Sequence, residues 1–197
     1  MKSIASGIEQ WSWFSEEKQM DFNGLVLTAN DECVIVDPPP INAHDTTRLL
    51  SLAPTHIVLT NRDHTREAEA FRTEFKIPVY APAADAPQME IAIDTTYDDG
   101  GVLPGGLVAI HLRNMKSPGE SALLLKQDSG YLILGDALIG KPVGELRLLP
   151  AEKFADVDKA KESLTRLLDY GYEAVLAGDG TSILSGGKDA VRRALTG

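Results

Sequence analysis

Short apolar runs alternate with polar turns along the whole chain. Two such runs, at 25–28 and 33–36, are joined by a short polar segment and predict a β-hairpin that ends at a run of prolines. Further apolar runs predict strands at 56–60, 78–81, 107–111, 121–126, 131–135 and 174–177. Helical spacing of apolar residues predicts helices at 45–52, 65–75, 156–170 and 187–195, with Asp156 as a cap. Residues 82–100 show little periodicity and predict a surface connection.

No low-complexity linker divides the 197 residues, and the two halves repeat one pattern. Each half contains a hairpin, a strand followed by an acidic loop, and a helix. We therefore expect one domain over residues 1–197, of the α/β (α+β) class, with mixed sheets inside and helices outside. A four-layer αββα sandwich is the natural packing for these elements.

The composition excludes several classes of function. A formal net charge of −10 argues against binding to nucleic acid or to anionic lipid, both of which need basic surface. No run of 18 apolar residues is present, and the first residues lack the apolar core of a signal peptide. Cys33 is the single cysteine, so no intramolecular disulfide can form. We expect a cytoplasmic protein with a small-molecule partner; a homodimer is compatible with this size, but no sequence feature specifies one.

Three predicted strands run directly into loops that carry acidic residues. One strand ends before Asp63 and His64, one before Asp136, and one before Asp179. In layered α/β proteins, ligands bind at the carboxyl ends of strands, where loops converge. The pattern therefore predicts one site that contains all four side chains. His44, His56 and His111 do not lie in such loops, and we expect them to be structural.

Five short motifs, in this order and spacing, resemble the metallo-β-lactamase fold superfamily over about residues 22–195. They are Val36-Asp37-Pro38, Thr55-His56-Ile57-Val58-Leu59-Thr60, Ser117-Pro118-Gly119, Leu134-Gly135-Asp136 and Ala177-Gly178-Asp179-Gly180. The resemblance implies the αββα fold and hydrolysis at a site with one or two metals. It does not specify a substrate, because thioester, lactone, phosphodiester and β-lactam chemistries share this fold.

The metal-binding motifs of that family are degenerate in this chain. The family signature His-x-His-x-Asp-His is replaced by the sequence Asn61-Arg62-Asp63-His64-Thr65-Arg66. Aligned without a gap, the ligand positions are filled by Asn61, Asp63, Thr65 and Arg66. With a two-residue deletion, Asp63 and His64 match the Asp-His pair instead.

Two other family histidines are also replaced, whereas the bridging aspartate is retained. The histidine before Ser/Thr-Pro-Gly is Lys116 here, the late histidine is Asp179, and the bridging aspartate is Asp136. Under the gapped alignment, the resemblance implies that Asp63, His64, Asp136 and Asp179 are ligands for one metal and not two.

The first functional hypothesis is a hydrolase of unknown substrate with at most one metal. One imidazole and three carboxylates suit Zn, Mn or Fe, and a water molecule on that metal would serve as the nucleophile. Lys116 would pair with Asp136 and replace part of the missing positive charge. The catalytic set is then Asp63, Lys116 and Asp136, and an anionic group of the substrate would contact Asn61, Arg62 and Lys116.

The second hypothesis is a metal-free family member without catalytic activity. Arg62, Lys116 and Arg66 would then neutralise the aspartates in an ion-pair network, since basic residues are expected where metals have been lost. Such a protein would bind a small anion or a protein partner. The orientation of His64 separates the hypotheses, because a metal site requires it to face Asp136 and Asp179.

Overall fold

Two β-sheets form the centre of the protein. A computed structural model describes residues 1–29 and 31–196, so that Asn30 and Gly197 lie outside the described residues. Over the described residues, the first sheet has seven strands in chain order: β1 Lys2–Ala5, β2 Ile8–Ser15, β3 Met20–Ala29, β4 Glu32–Val36, β5 His56–Val58, β6 Val79–Pro82 and β7 Thr95–Tyr97. Strands β1 to β4 pair antiparallel, and β4 to β7 pair parallel.

The second sheet has its four strands in the order β11-β10-β9-β8. They are β8 Val108–His111, β9 Ser121–Leu125, β10 Tyr131–Leu134 and β11 Ala174–Ala177. Strands β10 and β11 pair parallel, whereas the other pairs are antiparallel. The four α-helices in this part of the chain are α1 Ala43–Leu52, α2 Ala68–Phe75, α3 Val157–Thr165 and α4 Gly187–Thr196.

Alternation along the strands assigns each apolar side chain to one of three buried layers. On β4, Val34 and Val36 face the second sheet, and Ile35 faces the opposite side. The outer face of the first sheet packs against α1 and α2 through Leu49 and Phe71. The outer face of the second sheet packs in the same way against α3 and α4. Helices therefore cover both sheets, and the predicted αββα order is confirmed.

Most predicted elements are present, with four differences, the first of which is that β1 and β2 precede the predicted hairpin. Residues 82–100 are not only a connection, because they include β7, which extends the first sheet beyond β6. The helix predicted at 156–170 is α-helical only to Thr165 and continues as a 3-10 turn, although Asp156 caps it as expected. The helix predicted at 65–75 begins at Ala68, because residues 65–67 form an irregular link between it and the separate 3-10 turn Arg62–His64. No described helix is both long and apolar enough to cross a membrane.

Candidate metal and ion-pair centre

Four strand ends meet at one edge of the sandwich. In the first sheet, the parallel strands β4 and β5 lead to Asp37 and to the loop that carries His64. In the second sheet, the parallel strands β10 and β11 lead to Asp136 and Asp179. Backbone hydrogen bonds join β3 to the loop after β11, which brings the two sheets together at this edge. The predicted convergence of strand ends is therefore present in the structure.

His64 is buried at the centre of this cluster. Its Nδ1 lies 2.8 Å from Asp37 Oδ2, and its Nε2 lies 3.6 Å from Asp136 Oδ1 and 3.9 Å from Asp179 Oδ1. The ring thus faces the two aspartates rather than solvent. Asp37 also accepts hydrogen bonds from the Thr60 backbone N, at 2.8 Å, and from its Oγ1, at 2.6 Å. These bonds hold the carboxylate that orients the imidazole.

A short 3-10 turn, Arg62–His64, places His64 and Asp63 on the loop after β5. Asn61 caps this turn, because its side chain accepts hydrogen bonds from the backbone N of Asp63 at 2.8 Å and of His64 at 3.2 Å. The Asn61 side chain is fully buried and is occupied by this local role. Because no part of the Asn61 side chain is exposed, this geometry does not offer the predicted contact between Asn61 and a substrate.

Lys116 bridges two carboxylates at the opening of the site. Its Nζ lies 2.6 Å from Asp136 Oδ2 and 3.1 Å from Asp63 Oδ2. The expected pairing of Lys116 with Asp136 is therefore present, and the three predicted catalytic residues lie together. Asp63 turns its carboxylate toward Lys116 and is not part of the His64–Asp136–Asp179 group. Its predicted role as a metal ligand is not what this arrangement shows.

Arg62 points away from the cluster. Its guanidinium donates a hydrogen bond to Gln88, and its backbone N donates one of 2.9 Å to Asp85 Oδ2. Asp85 is buried and also accepts hydrogen bonds from Ser117 Oγ and from the Gly119 backbone N. This carboxylate joins the His64 loop to the loop that carries Lys116. In the described structure, the Arg62 guanidinium is therefore not placed at the site, where it was predicted to contact a substrate.

The charges of the site shift several pKa values. Burial and the Arg66 charge lower the pKa of His64, but Asp37 and Asp136 outweigh them and raise it to about 10. Burial raises the pKa of Asp136, but His64 and Lys116 outweigh it and hold this pKa well below its usual value. Burial lowers the pKa of Lys116, and its two aspartates more than reverse that effect. The Arg66 Nη2, which lies 3.1 Å from His64 Nε2, opposes a proton on that nitrogen.

Three donor atoms of this cluster match a metal site. Ligand atoms of His64, Asp136 and Asp179 lie within 4.8 Å of one another. The Asp37 carboxylate on Nδ1 leaves Nε2 directed at the two aspartates, an arrangement that is usual for metal-binding histidines. One imidazole and two carboxylates could therefore hold one divalent cation. However, Arg66 lies against two of the three ligands, so the group fits a metal only when this guanidinium moves aside.

Three buried residues of the site were not assigned to it from the sequence as ligands or catalytic groups. The sequence presents Asp37 only as part of a motif, and its position at a strand end is the signal that could have identified it. It presents Arg66 only as one cation of a metal-free network. Glu120 is fully buried beside Gly135, and burial and the Asp136 charge raise its pKa well above the usual value. Nothing in the local sequence distinguishes Glu120 from a surface residue.

The other histidines lie outside the cluster, as predicted. His44 is exposed beside Asp45, His56 packs edge-on against Tyr80, and His111 ends β8. None of them belongs to the group of three candidate ligands among the described residues.

Comparison with solved structures shows the same fold. DIM-1 metallo-β-lactamase is 16% identical, covers 99% of this chain and 94% of its own, and superposes with a TM-score of 0.79. A metallo-β-lactamase from Pontibacter korlensis is 15% identical, with coverages of 99% and 96% and a TM-score of 0.77. BLEG-1 B3 metallo-β-lactamase is 22% identical, with coverages of 89% and 93% and a TM-score of 0.68. At these identities, the likeness concerns the fold alone.

The family assignment comes from the sequence itself. No curated protein matches the chain. The model of the metallo-β-lactamase superfamily matches residues 1–196, which is nearly the whole sequence. The strand-end site, the αββα layers and this match agree, and the chain belongs to the metallo-β-lactamase superfamily.

Proposed function

We propose that this protein is a hydrolase that uses one divalent cation, held by His64, Asp136 and Asp179. The observation that supports the proposal is the convergence of these three ligand atoms within 4.8 Å, with His64 oriented by Asp37. One nitrogen and two carboxylate oxygens suit Zn, Mn or Fe. The two carboxylates together carry the charge of one divalent cation, so a single metal balances the ligand set.

The side chains of Lys116 and Asp63 would then contact the substrate and transfer protons. A cation held there would supply Lewis acidity, which activates water and polarises the bond to be cleaved. Lys116 is 30% exposed at the opening of the site, so its ammonium group can contact an anionic group of a substrate while it holds Asp136. Asp63 is 38% exposed beside it and is the accessible carboxylate for proton transfer.

Metal analysis of the purified protein tests this proposal. Protein prepared without added metal or chelator should contain close to one equivalent of zinc, manganese or iron. A His64→Gln, Asp136→Asn variant should contain none, since it lacks two of the three ligands. His44→Gln, which changes an exposed histidine outside the cluster, should retain the metal of the wild type.

Activity should follow the metal content. Esters, thioesters, lactones, phosphodiesters and β-lactams should be screened, and hydrolysis of the accepted class should stop on chelation and return with the metal. A protein without metal after reconstitution, and without chelator-sensitive hydrolysis of any of these classes, would contradict the proposal.

A metal-free member that binds a small anion is the second candidate. It is favoured by the fact that Lys116 and Arg66 already pair with Asp136 and Asp179. In that case, inorganic phosphate should raise the melting temperature of chelator-treated protein, and Lys116→Gln should abolish the effect.

A homodimer remains a separate prediction, which sedimentation velocity would check.

A further inference from the structure

Arg66 lies where a metal would have to bind. Its Nη2 pairs with Asp179 Oδ1 and lies 3.1 Å from His64 Nε2, so the guanidinium contacts two of the three candidate ligands. The side chain is 9% exposed, which is low for an arginine. The backbone of Arg66 has a φ of +36°, in the left-handed region, two residues after the end of the 3-10 turn. This conformation turns the chain so that the side chain enters the site.

The surroundings of Arg66 hold its guanidinium in place but do not satisfy all of its hydrogen-bond donors. The guanidinium carbon lies 4.3 Å from the centre of the Phe22 ring, a cation–π contact. Phe22 pairs with Asp179 across the isolated β-bridge between β3 and the loop after β11. In contrast, the Arg66 Nη1 is buried and has no hydrogen-bond partner in the described structure. A buried donor without a partner costs free energy. The negative charge that pairs with the guanidinium must therefore hold it in this position.

Two protein cations therefore divide the carboxylates of the site between them. Lys116 is bound to Asp136 Oδ2 and Asp63 Oδ2, on the side that opens to solvent. Arg66 is bound to Asp179 Oδ1, on the buried side, beside the imidazole. A divalent cation that used His64 Nε2 and Asp179 Oδ1 would occupy the space that Nη2 fills. The two positive groups could not share it, because like charges at such distances repel strongly.

We infer that Arg66 is the resident cation of this centre and that it competes with metal for His64 and Asp179. Metal enters only when the guanidinium leaves the site, and removing the guanidinium opens a three-ligand site. This inference goes beyond the proposed function, since it holds whether or not the wild-type protein uses a metal. It assigns to Arg66 the control of metal affinity.

Zinc titration of chelator-treated protein tests the inference. Arg66→Met keeps a flexible, unbranched side chain at this position but removes the charge, the hydrogen bonds and the guanidinium contact with Phe22. We expect this variant to bind one equivalent of zinc chloride at least about tenfold more tightly than the wild type, by calorimetry and elemental analysis. Its melting temperature should also rise more on zinc addition. Arg66→Gln is the second variant, which keeps the test valid if Arg66→Met does not fold.

Two controls assign the effect to the site. Arg72→Met removes an arginine from α2 that pairs with Asp94 on the surface, and it should not increase zinc affinity. Adding His64→Gln to Arg66→Met should abolish the gain, because the nitrogen ligand is lost.

The outcomes separate this inference from the proposed function. No zinc on the wild type, with one equivalent on Arg66→Met, would support the inference and contradict a metal-dependent wild-type enzyme. Equal affinity in the two proteins would overturn the inference and leave the proposed function intact. Absence of binding to both, or an equal gain in the double variant, would also overturn the inference.

Discussion

Asp37 organises the candidate site. The change in the free energy of unfolding when it is replaced by asparagine measures the strength of this role. The side chain is 2% exposed and accepts three hydrogen bonds, from the Thr60 backbone N, from Thr60 Oγ1 and from His64 Nδ1. Asparagine has the same shape, and it tolerates the φ of +48° that Asp37 adopts. The substitution therefore tests the charge and the acceptor atoms without adding backbone strain.

The expected cost follows from those three bonds. The amide of Asp37→Asn has one acceptor oxygen, and its NH2 group must face at least one of the three buried donors. A hydrogen bond to a charged group contributes about 1.5–3 kcal/mol, and a buried donor without a partner costs about 1–3 kcal/mol. We therefore expect the free energy of unfolding to fall by about 2–5 kcal/mol, which is a large part of the roughly 5–15 kcal/mol of a typical domain.

Urea denaturation, followed by circular dichroism and tryptophan fluorescence, provides the assay. The midpoint should fall without a change in slope, since the substitution does not alter the surface exposed on unfolding. Glu145→Gln is the matched control, because Glu145 pairs with Arg147 on the surface and both side chains are more than half exposed. It should change stability by no more than about 0.5 kcal/mol. A loss below about 1 kcal/mol in Asp37→Asn would refute the organising role of this carboxylate.

Two further substitutions test the packing and the electrostatics of the fold. Gly178→Ala would place a Cβ 2.9 Å from the His64 ring and should lower stability by about 1–3 kcal/mol in urea denaturation, whereas Gly171→Ala, with open space, should not. Arg72 holds the pKa of Asp94 below its usual value, so this pair stabilises the protein above pH 4 and the effect is lost as pH falls. Asp94→Asn should therefore cost about 1 kcal/mol at pH 7 and progressively less below pH 4; a constant difference would contradict this pairing.

The sequence by itself determined the architecture and the place of the site. Continuous apolar runs define most of the strands, because a strand whose sheet is covered on both sides buries side chains on both of its faces. The acids at strand ends predicted the convergence of His64, Asp136 and Asp179, since the carboxyl ends of parallel strands share one edge. The pairing of Lys116 with Asp136 was also predicted, because the resemblance implies that Lys116 stands where the family has a metal-binding histidine.

The tertiary structure alone decided which side chains meet within the site. Asp63 and His64 are adjacent in sequence, but the 3-10 turn capped by Asn61 directs one to Lys116 and the other to Asp136. The left-handed backbone at Arg66 brings its guanidinium beside Asp179, which is distant in sequence. Neither direction can be derived from local propensity, because both depend on turn geometry and on charges that only the folded chain brings together.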